Sequence, residues 1–160
     1  MAKTYEPIAT TTLGSPAASY TFSSIPSTYT DLVLVVNSST ATNDASWLQF
    51  NGDTGSNYSN TRLQGNGSTA TSDRGTSQTV GYYSGGDITN TNVLIAHIMN
   101  YSNTTTYKTT LSRFNVAASS VNAEAILWRS TAAINAIKIS NNAYNFTTGS
   151  TFTLYGIKAA

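Results

Sequence analysis

Apolar and small polar residues alternate along most of this 160-residue chain. The alternation is clearest in Thr151-Phe152-Thr153-Leu154-Tyr155-Gly156-Ile157, where Phe152 and Leu154 alternate with Thr151 and Thr153. Successive side chains of a strand point to opposite faces, so period two marks a strand with one buried face. The same signal predicts further strands over residues 5–13, 19–25, 47–50, 93–100, 107–115, 121–128 and 134–139. In the third of these runs Trp47-Leu48-Gln49-Phe50 leads into Asn51-Gly52, a strong reverse-turn pair because both residues tolerate positive φ. Leu32-Val33-Leu34-Val35-Val36 is apolar throughout and predicts a central strand buried on both sides. Val93, Ile95, His97 and Met99 fall on one side of their strand, as do Tyr107, Thr109 and Leu111 on theirs. Residues 57–86 are rich in Gly, Ser, Thr and Asn and predict long loops with one or two short strands, near 61–64 and 77–83. No amphipathic helix is evident. The expected fold is all-β: an antiparallel, jelly-roll-like β-sandwich, a single domain of roughly eight to ten strands. Residues 1–13 form its first strand or an arm, and residues 14–160 the sandwich.

Composition narrows the function. Charged residues make up only 9% of the chain, the net charge is +1, and Lys and Arg are scattered. A nucleic-acid surface needs clustered cations to neutralise phosphates, so nucleic acid is not an expected partner. No window is long and apolar enough to span a membrane, and Met1-Ala2-Lys3-Thr4 opens no signal-peptide h-region. There is no cysteine, so neither disulfides nor thiolate metal sites are expected. The polarity comes instead from 48 Ser and Thr and 16 Asn, about two-fifths of the chain. The Asn-x-Ser/Thr triplets at Asn57, Asn66 and Asn103 follow from that composition.

Catalytic chemistry is sparse. The single histidine, His97, sits in an apolar alternating strand and is expected to be buried or at an interface. No Gly-x-Ser-x-Gly elbow is present. Glu6, Asp31, Asp44, Asp53, Asp73, Asp87 and Glu124 are isolated in sequence and mostly at predicted turns, unlike the paired carboxylates of a glycosidase. Asn51-Gly52-Asp53-Thr54-Gly55 offers oxygen ligands but lacks the acidic spacing and distal Glu of a calcium loop, so a tight turn is expected there. No cofactor, metal or catalytic set is expected. Aromatic residues are the remaining candidates. Tyr58, Tyr82 and Tyr83 lie in the loop-rich region and are expected either to bind a glycan or to pack at an interface.

Three segments carry a resemblance: residues 19–32 (Ser-Tyr-Thr-Phe-Ser-Ser-Ile-Pro-Ser-Thr-Tyr-Thr-Asp-Leu), residues 50–59 (Phe-Asn-Gly-Asp-Thr-Gly-Ser-Asn-Tyr-Ser) and residues 149–157 (Gly-Ser-Thr-Phe-Thr-Leu-Tyr-Gly-Ile). Together they resemble small virion structural proteins of tailed bacteriophages, which occur as head proteins and as fibre modules. The resemblance implies a jelly-roll-like sandwich, usually a homotrimer, made in the bacterial cytoplasm and displayed on the outside of the virion. With no catalytic constellation in the sequence, an enzyme is not expected. The expected function is a capsid decoration (cement) protein whose partners are its own copies and the major capsid protein. The alternative is a head-fibre, tail-fibre or receptor-binding module recognising host surface glycans. The closing strand leaves no room for a following anchor, so shell contact is expected at the other end, through Lys3, Thr4, Tyr5, Glu6, Pro7 and Ile8.

Overall fold

A computed structural model of the chain describes residues 4–40, 44–86, 92–116 and 119–158. The described residues form twelve strands and no helix. In chain order these are β1 (Tyr5–Thr12), β2 (Ser19–Phe22), β3 (Asp31–Ser38), β4 (Asp44–Phe50), β5 (Tyr58–Gly65) and β6 (Ala70–Gln78), followed by β7 (Gly81–Gly86), β8 (Asn92–Met99), β9 (Lys108–Val116), β10 (Ser120–Trp128), β11 (Ile137–Asn141) and β12 (Thr151–Ile157). They make two antiparallel sheets, one ordered β1-β12-β3-β8-β9-β10-β5-β6 and the other β2-β11-β4-β7.

Eight of the strands are a jelly roll. With β5, β6, β9 and β10 set aside, the chain crosses between sheets at each step or returns within one. The orders β1-β12-β3-β8 and β2-β11-β4-β7 are then those of a double Greek key. The other four strands are two inserted hairpins, β5–β6 and β9–β10. They pair with each other through β5 and β10, and β9 joins them to β8. The result is a four-stranded wing that extends the larger sheet.

The fold is the β-sandwich expected, with more strands. The excess lies in residues 57–86, which hold β5, β6 and β7 rather than long loops. β6 is exposed along nearly its whole length, on both faces. A strand with no buried face leaves no hydrophobic period to read. Strand boundaries also move, most clearly at β2 and β11. β2 stops at Phe22, and Ile25 instead donates its N–H to the Asn135 carbonyl at 3.0 Å. β11 starts at Ile137, because Ile134 is buried under a bond from its N–H to the Tyr101 carbonyl at 2.9 Å.

The core follows the register. Phe152, Val36, Leu94 and Phe114 lie in one rung across β12, β3, β8 and β9. Leu154, Leu34 and Ala96 form the next rung. All are buried in one cluster with Leu48 and Phe50 of β4 and Ile137 and Ile139 of β11. Residues 5–12 are an edge strand of this sandwich, paired with β12 from Tyr5↔Ile157 to Thr12↔Thr151, and not a separate arm. Pro7 lies beside a register shift on that edge, where a missing N–H is tolerated.

Toward the wing the inward positions turn polar. Thr110 is fully buried between Ile98 and Ile126 in its rung, and its hydroxyl has no hydrogen-bonding partner among the described residues. A buried unpaired hydroxyl costs stability, whereas an apolar group of similar shape does not. Thr110→Val is therefore expected to stabilise the protein by about 1 kcal/mol in urea unfolding. A loss of stability would show that the hydroxyl is satisfied.

Candidate functional site

The turn after β4 is structural. Asn51 and Gly52 both take positive φ, 52° and 70°, as the Asn-Gly pair predicts. The Asn51 side chain bridges to the chain before β11: Oδ1 accepts from the N–H groups of Asn135 and Ala136 at 2.9 and 3.1 Å, and Nδ2 donates to the Ala133 carbonyl at 2.8 Å. Asp53 gathers three donors. Its Oδ2 accepts from the Trp128 indole N–H at 2.6 Å and from Asn57 Nδ2 at 2.9 Å, and its Oδ1 from the Gly55 N–H at 2.8 Å. Burial alone would raise the Asp53 pKa, but the bonds from Trp128, Asn57 and Gly55 outweigh it and hold the carboxyl below its usual range. Those oxygens are occupied in fastening β4 to β10, which is the role of a turn and not of an ion loop.

Two of the three candidate tyrosines are core residues. Tyr58 is fully buried; its hydroxyl accepts the Phe50 N–H at 2.9 Å and its ring stacks near Trp128. Burial pushes its pKa up to about 12. Tyr83 is buried against Phe114, and burial raises its pKa as well. Neither presents a ring to a glycan, because both occupy inward positions of their strands. Tyr82, next to Tyr83 on β7, points outward and is partly exposed.

The other candidates disperse. Of the shell-contact set, Tyr5 is exposed and meets Tyr155 edge-on at 6.4 Å, Glu6 pairs with Lys158 at 3.0 Å, and Ile8 packs on the core. Thr4 and Pro7 are exposed, and Lys3 lies outside the described residues. Asp73 binds Arg62, Asp31 accepts the Asn100 N–H, and Glu124 is buried. Asp87 lies outside the described residues. Among the described residues no three His, Asp or Glu side chains are grouped to hold a metal.

Two surfaces stand out, and the wing contributes to both. The first is the outer face of β5, β8, β9 and β10. Cross-strand register places Leu63, Ala123, Arg113 and Ile95 in one row and Thr61, Ala125, Leu111 and His97 in the next. Val121 and Leu63 are each 61% exposed, Leu111 49% and Met99 37%. His97 and Arg113 are the titratable side chains at the outward positions of these four strands. A shallow depression of about 510 Å³ opens between Leu63, His97, Met99, Leu111 and Ala123. His97 is thus a half-buried member of an apolar face.

The second surface is a groove of about 530 Å³ where the β5–β6 hairpin rises beside the outer face of the small sheet. Trp47 of β4 and Tyr82 of β7 are cross-strand partners on that face. The Arg62 guanidinium lies 5.3 Å over the Tyr82 ring, and its Nε donates to Asp73 Oδ2 at 2.9 Å. The Arg62 pKa is raised: burial works against its charge, and the Asp73 bond prevails. Sequence reading missed Trp47 because the run Trp47-Leu48-Gln49-Phe50 looks like core. The signal was the alternation itself, which puts Trp47 with Gln49 outside and Leu48 with Phe50 inside.

Comparison of the chain with family models, with curated proteins and with solved structures gives no match.

Proposed function

We propose that this chain is a structural protein of a bacteriophage virion, a decoration protein that binds the outside of the head shell and self-associates, as a homotrimer, through the wing. The observation that carries the self-association is the exposed apolar face of β5, β8, β9 and β10, where Leu63, Met99, Leu111 and Val121 stand together with little charge. Soluble monomers seldom leave a contiguous apolar patch beyond a few hundred Å² uncovered, so a face of this kind marks an association surface. Copies of the same chain fit it because nearly every group on it is apolar or neutral, so like faces meet without charge repulsion. The virion assignment rests on the resemblance of residues 19–32, 50–59 and 149–157 to phage head and fibre proteins. The β1 edge, with Tyr5 exposed, remains the proposed contact with the major capsid protein.

The self-association is tested by Leu111→Glu. Placing a carboxylate in the centre of the face should convert an oligomer into a monomer in sedimentation velocity while the circular dichroism of the sandwich is unchanged. A wild-type protein that sediments as a monomer at tens of micromolar would remove the proposal. The decoration role is tested by the copy number in purified particles. Hundreds of copies per virion are expected, and a few or a few dozen would assign the protein to a tail or fibre instead.

A further inference from the structure

We propose that the groove between the β5–β6 hairpin and the small sheet binds a neutral oligosaccharide, with a hexopyranose ring stacked on Trp47. This goes beyond the assembly role and uses the opposite side of the molecule, so either can fail without the other.

The small sheet's outer face is otherwise polar: Thr21, Lys138 and Ser140 occupy outward positions of β2 and β11. The core is on the other side of β4 and β7, so these two neighbouring rings, Trp47 and Tyr82, lie outside it, with the Arg62 guanidinium over Tyr82. An aromatic face left half-exposed beside planar hydrogen-bonding groups suits a pyranose, whose C–H face is apolar and whose rim is hydroxylated. The rim partners are present in the wall of the groove: Arg62, Asp73, Gln78 and Asn142. Arg62 is held in place twice, by Asp73 and by its position over Tyr82, so the wall is set before a ligand arrives.

Charge selects the class of glycan. Arg62 and Asp73 are paired across the hairpin and give the wall both signs, while Arg74, which also borders the groove, lies in register with Thr61 on the hairpin's other face. On the groove side a phosphorylated or strongly acidic ligand would meet the Asp73 carboxylate beside a cation already paired to it. A neutral saccharide can accept from the guanidinium and donate to the carboxylate at once. Length is indicated too. A second depression, of about 350 Å³, adjoins the first on the other side of Trp47, with Gln49 and Ser140 in its lining. Trp47 therefore borders two sugar-sized spaces, and a ligand of two or more residues should bind better than a monosaccharide.

Trp47 supplies its own reporter. The chain has two tryptophans, and the other, Trp128, is buried and bonded to Asp53. Binding in the groove should alter tryptophan fluorescence, and the change should disappear in Trp47→Phe. The experiment is a glycan array carrying neutral hexose oligosaccharides and uronic-acid oligosaccharides, followed by titration of the best binders. Neutral oligosaccharides are expected to bind. Trp47→Ala and Asp73→Ala should each weaken binding about tenfold or more, as for a central contact residue. Gln78→Ala, at an exposed position that cannot disturb the core, should weaken it by a smaller factor, and Thr109→Ala on the other sheet should not. No binding of any array member by the wild type would overturn the proposal. So would binding that survives Trp47→Ala, or selectivity for the uronic-acid glycans alone.

Discussion

Asp53→Ala should lower the unfolding free energy by about 3 kcal/mol, measured by urea denaturation at neutral pH. The residue lies in a surface turn, where substitutions usually cost little. Here it is the acceptor for a buried indole. Trp128 is 2% exposed, and its Nε1 can only donate, so removing the carboxylate leaves that N–H unpaired in the core. The Gly55 N–H and Asn57 lose their acceptor in the same step. The loosened turn then slackens the hold of the Tyr58 hydroxyl on the Phe50 N–H. Asp53→Asn keeps one acceptor oxygen and should lose about half as much. A loss below about 1 kcal/mol for the alanine variant would mean that water replaces the carboxylate at no cost. The effect has a pH signature. The folded-state pKa of Asp53 is depressed, so its contribution is full above the unfolded value, near 4, and is lost as pH falls through the folded value. Between wild type and Asp53→Ala the stability gap should therefore close below about pH 4, and a gap constant down to pH 2 would contradict the assignment.

Gly156→Ala should cost about 3 kcal/mol, at the upper end of what overpacking produces. The Tyr29 ring lies directly against Gly156, so that a Cβ built there falls far inside van der Waals contact with three of the ring carbons. The ring cannot step aside easily. The backbone beside it is tied by the Thr30 N–H to the Ile157 carbonyl at 2.8 Å and by the Tyr29 N–H to the Tyr101 hydroxyl at 3.3 Å, and Lys158 Nζ sits 5.5 Å over the ring. The glycine is required for space, not for a positive φ, since it is absent from the residues in that region. The check is a double-mutant cycle in thermal unfolding. With Tyr29→Ala in the background, the added methyl should cost far less, and simple additivity of the two changes would show that ring and glycine do not compete for the same volume.

The sequence was legible where one face of a strand is buried and the other is wet. β12 follows Thr151–Ile157 to the residue, and the turn at Asn51-Gly52 has the backbone its residue types favour. It was illegible where both faces share a character. β6, Ala70–Gln78, is polar on both sides and reads as loop. β8 is apolar on both, so Val93, Ile95, His97 and Met99 could be grouped on one side while nothing told which side faced the core. Leu94, Ala96 and Ile98 do. The same ambiguity hid the exposed apolar face of β5, β8, β9 and β10. Of the candidate aromatics, Tyr82 lies at the groove, while Tyr58 and Tyr83 could not be separated from it by composition. Adjacent residues of a strand differ in face, and only the phase of β7 distinguishes Tyr82 from Tyr83.

The place of β12 between β1 and β3 sets the order in which the molecule can form. As the chain leaves the ribosome, Tyr5–Thr12 emerges first and finds no partner, because its only neighbour in the sheet is the last of the described strands. β3 likewise has an open edge until Phe152 and Leu154 arrive to cover it. The sandwich thus closes only once β12 has been made, by pairing strands that lie far apart in sequence. Such non-local pairing is slow, on the order of milliseconds to seconds. The nascent protein meanwhile carries an unpaired apolar strand, and its low charge offers little to keep two such chains apart.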